Sequence, residues 1–285
     1  MAVPPVYADL GKAAKDIFNK GYGFGMVKLD FRTRSANGVE FKGCGASSMD
    51  SDRVSGSLQS SYQWREFGLG FMEKWSTDNT LNTQITVEDQ ITPGLKLTFD
   101  TSFCPNSGKK SGKLQMGYRR ACVCVRCGVD FDSGGPVAHG DAVLGLEGLL
   151  AGVQMSFSSA TCRLSSSRVS IAYQTADFQL HAQLSDGSEF GGSIYQQVSS
   201  DLETAVSLSW SAGNSSSSSF SIAAKYMLDT NSSISAKVNN SSLLGIGYTQ
   251  TLRPGVKLTL SALLDGRNFI STGGHQLGLG LELEA

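Results

Sequence analysis

Apolar and polar residues alternate with a period of two along almost the whole chain after residue 25. In the first such segment Val27, Leu29 and Phe31 are apolar, and the residues between them are charged. Similar segments follow one another, separated by turns rich in Gly, Asn, Asp and Ser. Because successive side chains of a strand point to opposite faces, this pattern predicts about nineteen antiparallel β-strands joined by short loops, each with one apolar and one polar face.

The first twenty residues follow the period of a helix instead. Their apolar positions recur at helical spacing, with charged residues on the rest of the helical wheel. These apolar positions are Val3, Tyr7, Leu10, Ala14 and Ile17. Three glycines follow within five residues, Gly21, Gly23 and Gly25, and predict a flexible joint. The predicted organisation is an amphipathic helix over residues 1–20, a glycine hinge over 21–25 and a β-domain over 26–285.

The number of strands decides the fold class. So many antiparallel strands would leave exposed edges in an open sheet, so we expect the sheet to close on itself. A ring of about nineteen strands encloses a lumen too wide for side chains to fill. An apolar outside and a polar inside then predict an all-β transmembrane barrel, in which an odd strand count requires the first and last strands to run parallel. The alternative is a soluble two-sheet sandwich or another soluble β-rich ligand binder, which would stay in solution without detergent.

Composition and charge exclude several classes of protein. The 285-residue chain has a formal net charge of −1, so no attraction to nucleic acid is expected. No run of about eighteen apolar residues exists, which excludes a helical membrane protein. The N-terminus lacks the features of a secretory signal, and Asp9 and Asp16 argue against a mitochondrial presequence. We therefore expect that the targeting information does not lie in a cleaved leader.

Motifs spread over the chain are specific enough to indicate a family. They are 2–5, 7–12, 20–25, 73–75, 77–81, 86–90, 94–100, 189–196 and 245–252, together with a porin signature from Tyr226 to Tyr248. With these motifs the chain resembles, essentially from end to end, the voltage-dependent anion channels, the mitochondrial outer-membrane porins of eukaryotes. The last strand, with Gln276, Gly278, Leu281 and Leu283, resembles the β-signal of mitochondrial barrels. Within the family, the six cysteines and the ending 282–285 resemble the cysteine-rich third isoform, whereas the start 1–4 resembles the first.

The resemblance implies a location and a function. The helix would lie inside the lumen, and Gly21, Gly23 and Gly25 would serve as its gating hinge. The protein would be a multi-pass, voltage-gated and weakly anion-selective diffusion channel of the mitochondrial outer membrane for ATP, ADP, other anionic metabolites and small ions. The alternative is a scaffold for hexokinase and Bcl-2-family apoptosis regulators, with weak or redox-tuned conductance. A homo-oligomer is also implied. A related protein-import barrel is disfavoured because its longer soluble extension is absent.

Basic residues predicted to face the lumen are the candidate anion contacts. Lysines at a constriction attract chloride and phosphate groups by a loose electrostatic bias rather than through a pocket. These candidates are Lys12, Lys15, Lys20, Lys96 and Arg119. The resemblance adds a nucleotide-contact region, which comprises Leu243, Leu244, Gly245, Ser261, Ala262, Leu263, Leu264 and Asp265. ATP and NADH are thus expected as weakly bound ligands, and no cofactor is expected.

Glu73 is the most specific single candidate for a functional residue. It shares its alternation with Phe71 and Trp75, so it is predicted to face the lipid. A carboxylate that faces hydrocarbon is costly and indicates a functional site. The resemblance ties this glutamate to gating, calcium and association with hexokinase. The structural alternative is a protonated acid that reaches the edge of the bilayer.

Three closely spaced cysteines, Cys122, Cys124 and Cys127, look at first like metal ligands. On a strand the first two would face the lumen and the third the lipid, so one metal ion cannot reach all three, and we predict no metal site. Oxidation of thiols exposed in the lumen or in loops is the alternative chemistry. The candidate redox thiols are Cys44, Cys122, Cys124 and Cys162.

No enzymatic arrangement can be built from the pattern. The histidines His139, His181 and His275 lie far apart in the sequence, and no triad or carboxylate pair is evident, so we do not expect an enzyme. Asp141 shares its alternation with His139, which predicts that both face the lumen. Glycines inside predicted strands lack the context of a nucleotide fingerprint and are expected to permit strand curvature. These strand glycines are Gly245, Gly247, Gly278 and Gly280.

Overall fold

The computed structural model describes residues 3–49, 51, 53–132, 134–212, 218–267 and 274–285. Within these ranges the chain forms one short 3₁₀ turn, one α-helix and nineteen strands. The turn is Tyr7–Asp9 and the helix, α1, is Lys12–Asn19. The strands are β1 Met26–Arg34, β2 Glu40–Ser48, β3 Val54–Trp64, β4 Leu69–Ser76, β5 Thr80–Glu88, β6 Leu95–Cys104, β7 Lys109–Arg119, β8 Val123–Asp132, β9 Gly135–Leu146, β10 Leu149–Ser158, β11 Arg163–Gln174, β12 Phe178–Ser185, β13 Glu189–Gln197, β14 Leu202–Ser211, β15 Ser218–Asp229, β16 Ser232–Asn239, β17 Leu243–Arg253, β18 Val256–Asp265 and β19 Gln276–Glu284.

The nineteen strands form a single closed ring. Each strand pairs with its neighbours in sequence in an antiparallel manner, and β1 closes the ring by pairing with β19 in parallel. At this closure Val27 lies opposite Leu279, and Phe31 lies opposite Leu283. The predicted strand number and the predicted parallel closure are both confirmed.

The tight turns follow from local chemistry. Between β12 and β13, Asp186 and Gly187 both have positive φ, at 50° and 71°. Two consecutive residues with positive φ are what a type I′ hairpin turn requires, and Asp-Gly is among the pairs that adopt it most readily. Turns of this kind keep neighbouring strands in register, which fixes the side of the wall that each residue faces.

The outer wall of the ring is apolar. Residues opposite each other in neighbouring strands point to the same side, so Phe71 shares the outer face with Tyr62 and Ile85. Phe71 and Trp75 are 44% and 60% exposed, and large apolar side chains are exposed in the same way on nearly all the strands. A continuous apolar band around a closed sheet matches the surface that a transmembrane barrel presents to lipid.

The N-terminal segment lies inside the ring, and it is not the single continuous helix that its periodicity predicts. The 3₁₀ turn and α1 are separated at Gly11, whose φ is +68°. A side chain at Gly11 would strain this left-handed backbone, and its Cβ would lie 2.9 Å from the imidazole of His181. Met1 and Ala2 of the predicted helix lie outside the described residues. Among the described helices, none has the length and apolar character needed to cross a membrane.

Candidate functional site: the lumen and its N-terminal segment

The 3₁₀ turn is anchored to the wall by apolar contacts. Tyr7 and Leu10 are buried in a cluster with wall residues of β8 to β11, namely Cys124, Val143, Leu150 and Ala172. Gly152 leaves room for the turn, because a Cβ at this position would lie 2.9 Å from atoms of both Tyr7 and Leu10. The sequence predicts the apolar stripe of the segment but not the strands that receive it.

Helix α1 packs against the next part of the same wall. Ala14 and Ile17 are buried with Ala205 of β14 and Ala223 of β15. The wall alanines are short, so the helix can approach the sheet closely. Full burial of one aliphatic side chain of this size stabilises a packed state by about 1.5–3 kcal/mol. These contacts therefore hold the helix along the lumen wall rather than across it.

The glycine hinge is packed on a floor of strand glycines. A Cβ at Gly247 would collide with the carbonyl oxygen of Gly21, and a Cβ at Gly278 would collide with that of Gly23. A Cβ at Gly245 would lie 2.7 Å from the ring of Phe24. The sequence predicts that these three glycines permit strand curvature, and the structure adds a contact with the hinge that the sequence does not predict.

Hydrogen bonds add to the docking of the hinge. The backbone N–H of Gly23 donates to Ser261 Oγ at 3.1 Å, and the N–H of Gly25 donates to the carbonyl of Leu277 at 2.9 Å. The segment that the sequence predicts as a flexible joint is therefore tied to β18 and β19. In this conformation it covers Ser261, which is buried.

The predicted nucleotide-contact region is divided between the two faces of the wall. Leu244 lies opposite Leu264, and Ala262 lies opposite Ile246, and all four have the outward alternation. Leu244, Ala262 and Leu264 therefore face away from the lumen. The other five residues face the lumen by their alternation and could contact a nucleotide there. Two of them, Gly245 and Ser261, lie beneath the hinge. These five are Leu243, Gly245, Ser261, Leu263 and Asp265.

Most of the predicted anion contacts have carboxylate partners. The candidate lysines Lys12, Lys20 and Lys96 are all in ion pairs. The pairs are Lys12 with Asp9 at 3.1 Å, Lys20 with Asp16 at 2.7 Å, and Lys96 with Glu88. Lys15 is exposed and forms no ion pair among the described residues.

Lys96 and Arg119 are brought together by the fold. They line a groove of about 350 Å³ between Val6 of the N-terminal segment and strands β6 to β8, which Arg126 also lines. Glu88 and Asp89 lie in the same groove, so its positive charge is partly offset. The arrangement can attract a phosphate group loosely, in the manner expected of a channel wall.

Further charges on the wall of β7 to β9 are paired as well. Lys113 lies 3.1 Å from Asp130, and His139 Nε2 lies 3.2 Å from the same carboxylate oxygen. Arg126 binds Asp141 with Nη2 at 2.9 Å. His139 and Asp141 do face the lumen, as their alternation predicts. The pairings themselves were missed, although the cross-strand register of the hairpins carries the signal.

Glu73 is on the outer face of β4, as its alternation predicts. It lies opposite Ser60 of β3 and Thr83 of β5, and Thr83 lies opposite Thr101 of β6. The glutamate thus sits in a short polar row on an otherwise apolar outer wall.

The cysteines of this structure are free, and within the described residues no group of three or more His, Cys, Asp and Glu side chains could hold a metal ion.

The candidate redox thiols differ in exposure. Cys44, Cys122 and Cys162 are exposed, and the Cys44 sulfur lies 2.9 Å from Ser57 Oγ. Cys124 is different, because it is only 2% exposed and lies beneath the 3₁₀ turn. Strand alternation predicts correctly that Cys124 faces inward, but an inward side chain here is covered by protein and not by the water of the lumen.

Lys237 is a lumen residue whose role the sequence does not reveal. Its Nζ donates a hydrogen bond to the carbonyl oxygen of Phe18 at 2.8 Å. The same ammonium lies over the rings of Tyr22 at 4.3 Å and Phe24 at 5.1 Å. Burial raises the pKa of the Tyr22 hydroxyl to about 12, with the side chain of Ser235 acting in the opposite direction. This hydroxyl is therefore neutral over the physiological pH range.

A closed ring with an apolar exterior, a charged interior and a segment docked within it defines a pore-forming transmembrane β-barrel. The chain matches the family model described as "Eukaryotic porin" over residues 3–278. It therefore belongs to the eukaryotic porin family.

Three relatives, each named "Non-selective voltage-gated ion channel VDAC2", show how far the similarity extends. The protein of Meleagris gallopavo is 65% identical over 285 residues, which cover 100% of this chain and 96% of the relative. That of Xenopus laevis is 64% identical and covers 100% of both chains. The human protein is 61% identical over 100% of this chain and 96% of its own length. The resemblance to the third isoform gains no support from these three.

Proposed function

We propose that the protein is a voltage-gated channel through which ATP, ADP, other anionic metabolites and small ions diffuse across the mitochondrial outer membrane. The observation that carries this proposal is the closed ring of nineteen strands with an apolar outer wall and charged residues on the inner wall. The N-terminal segment packs against wall residues from β8 to β19. The names of the relatives and the family membership support the same function.

The anion preference that we propose is weak. Ion pairs cancel much of the positive charge on the inner wall and on the N-terminal segment. Lysines without an ion pair among the described residues, such as Lys15, Lys28 and Lys74, supply the remaining positive field. Charges around a wide, water-filled lumen act through a screened field, so cations also pass. ATP and NADH are proposed as loosely held ligands of this field, and no cofactor and no enzymatic activity are proposed.

Single-channel recording in planar bilayers tests the proposal. We expect the purified chain to insert into the bilayer, to conduct ions, and to close at high voltage of either sign. Its reversal potential in a KCl gradient should indicate that chloride permeates more readily than potassium. A chain that lacks residues 2 to 20 is expected to conduct without normal voltage closure. An inserted wild-type barrel that never closes with voltage would contradict the proposal, and normal closure of the truncated chain would exclude the N-terminal segment as the gate.

A second candidate function is favoured by one observation, the outward carboxylate of Glu73 in its polar row. An ionisable group on the lipid face can recruit partners that approach along the membrane. We propose hexokinase and Bcl-2-family proteins as such partners, and a second copy of this chain as another. Binding of hexokinase to liposomes that contain the wild type, but not to those with Glu73→Gln, would support the scaffold. Equal binding to both would exclude Glu73 as the site.

A further inference from the structure

We propose that Lys237 is the positioning residue that holds the N-terminal segment in the open channel, so that its loss lets the segment leave the wall at a lower voltage. This inference rests on the proposed function, because it concerns the voltage closure of the channel. Lys237 is not among the sequence-predicted contacts, and its position on β16 places it beneath both the end of α1 and the hinge.

The contacts of Lys237 join three parts of the chain. Its ammonium donates to the carbonyl of Phe18 in the last turn of α1, where carbonyl groups lack helical partners. A cation is also favoured at this negative end of the helix dipole. The ammonium lies over the faces of Tyr22 and Phe24, which are themselves packed together with ring centroids 5.4 Å apart. A single side chain thus binds the helix end and both aromatic rings of the hinge.

The floor beneath these contacts leaves the segment little freedom to repack. Gly245 lies beside Lys237. A Cβ at Gly245 would lie 3.0 Å from Cγ of the lysine and 2.7 Å from the ring of Phe24. Gly247 and Gly278 lack a Cβ and so leave space for the carbonyl oxygens of Gly21 and Gly23, respectively. Docking is therefore specific to one position, and among the described residues Lys237 is the charged wall side chain that contacts Phe18, Tyr22 and Phe24.

Lys225 provides a matched control. It is also a lysine of the inner wall, on the neighbouring strand β15, where it lies opposite Ser235 of β16 and Glu203 of β14. Among the described residues it forms no hydrogen bond or ion pair. Lys237→Met and Lys225→Met therefore remove the same charge from the lumen, and only the first removes contacts with the N-terminal segment.

The experiment compares these variants in planar bilayers and by amide hydrogen exchange in detergent. Loss of a hydrogen bond from a charged donor, together with the ring contacts, is expected to shift the docked-to-undocked equilibrium roughly tenfold. Lys237→Met should then close at a lower voltage than the wild type, and the amides of residues 12–25 should exchange faster. Lys225→Met should change ion selectivity to a similar extent while its closure voltage and exchange match the wild type. Lys237→Arg should be intermediate.

A second variant leaves the strand intact. Tyr22→Leu removes one of the two aromatic rings that contact the ammonium, so it should also lower the closure voltage. The double variant Tyr22→Leu/Lys237→Met should lower the closure voltage by less than the sum of the two single effects. If Lys237→Met and Lys225→Met close at the same voltage, or if the Tyr22 and Lys237 effects simply add, the inference is overturned. That result is distinct from failure of the proposed function, in which the wild type itself would not close with voltage.

Discussion

Arg126 donates hydrogen bonds from Nε to both carboxylate oxygens of Asp141, each at 3.1 Å, and its Nη2 lies 2.9 Å from Oδ2. The Asp141 side chain is only 10% exposed, so the pair is held close to the wall of β8 and β9. Two opposite charges at this distance produce little net field in the middle of a wide lumen. The pair therefore removes one arginine from the set that attracts anions.

Asp141→Asn is expected to increase the preference for anions, because it leaves the Arg126 charge uncompensated. The measurement is the reversal potential in a KCl gradient, and we expect less than about a twofold change in the permeability ratio for one charge in a screened lumen. Arg126→Gln should change the ratio in the opposite direction, and the double variant should lie near the wild type. Asp78→Asn, in the exposed turn after β4, is the control. A shift for Asp78→Asn as large as for Asp141→Asn would show that the effect is not specific to the lumen pair.

Gly247→Ala is expected to displace the hinge, because its new Cβ would collide with the carbonyl oxygen of Gly21. The barrel should still form, since the strand pairs of β17 are unchanged, but voltage closure should be altered and the amides of residues 21–25 should exchange faster. Gly191→Ala is the matched control, because this glycine also lies in a strand and a Cβ built on it has no heavy atom within 4 Å beyond those of its own residue and its two chain neighbours. Equal behaviour of the two variants would contradict the packing of the hinge on Gly247.

Cys124 is expected to be protected from thiol reagents by the docked 3₁₀ turn. Leu10→Ala removes part of this cover, and a buried leucine truncation costs about 2–5 kcal/mol of packing, so Cys124 should react faster with a water-soluble maleimide. The measurement is mass-spectrometric labelling over time, with exposed Cys162 as the internal control whose rate should not change. If Cys124 in the intact chain is labelled as fast as Cys162, the turn does not cover it.

The approximate strand count and the two faces of the wall could be predicted, because alternation is a local property that each strand carries in its own sequence. Glu73 is an example, since its outward position follows from Phe71 and Trp75 alone. Boundary counting alone does not separate eighteen, nineteen and twenty strands, so the parallel closure that an odd count requires does not follow from alternation. The break in the N-terminal helix at Gly11 was not predicted. At this break Gly11 has a φ of +68°, and a Cβ there would lie 2.9 Å from the imidazole of His181, a residue 170 positions away, which is a contact that periodicity within the segment cannot report.

Contacts between the segment and the wall also lie beyond sequence patterns. Alternation places Lys237 in the lumen but does not pair it with Phe18, which is 219 residues earlier in the chain. Gly247 and Gly278 look like ordinary strand glycines until the backbone of the hinge is placed against them. By contrast, Lys96 with Glu88 and Arg126 with Asp141 are cross-strand neighbours in hairpins, so a register argument would have found these pairs.

The docking of the hinge is expected to weaken above about pH 10. Burial raises the pKa of the docked Tyr22 hydroxyl to about 12 from an ordinary value of 10.0, so the docked state favours the neutral phenol. The contribution of Tyr22 to the free energy of docking is complete below pH 10, where the phenol is neutral in both the docked and the undocked state. This contribution is lost as the pH rises from 10 toward 12, because only the undocked phenol ionises in that range. Amide exchange of residues 21–25, corrected for the intrinsic increase with pH, measures this loss. Tyr22→Phe separates the phenol from other groups that titrate in the same range, and an identical pH profile in that variant would rule out the hydroxyl as the cause.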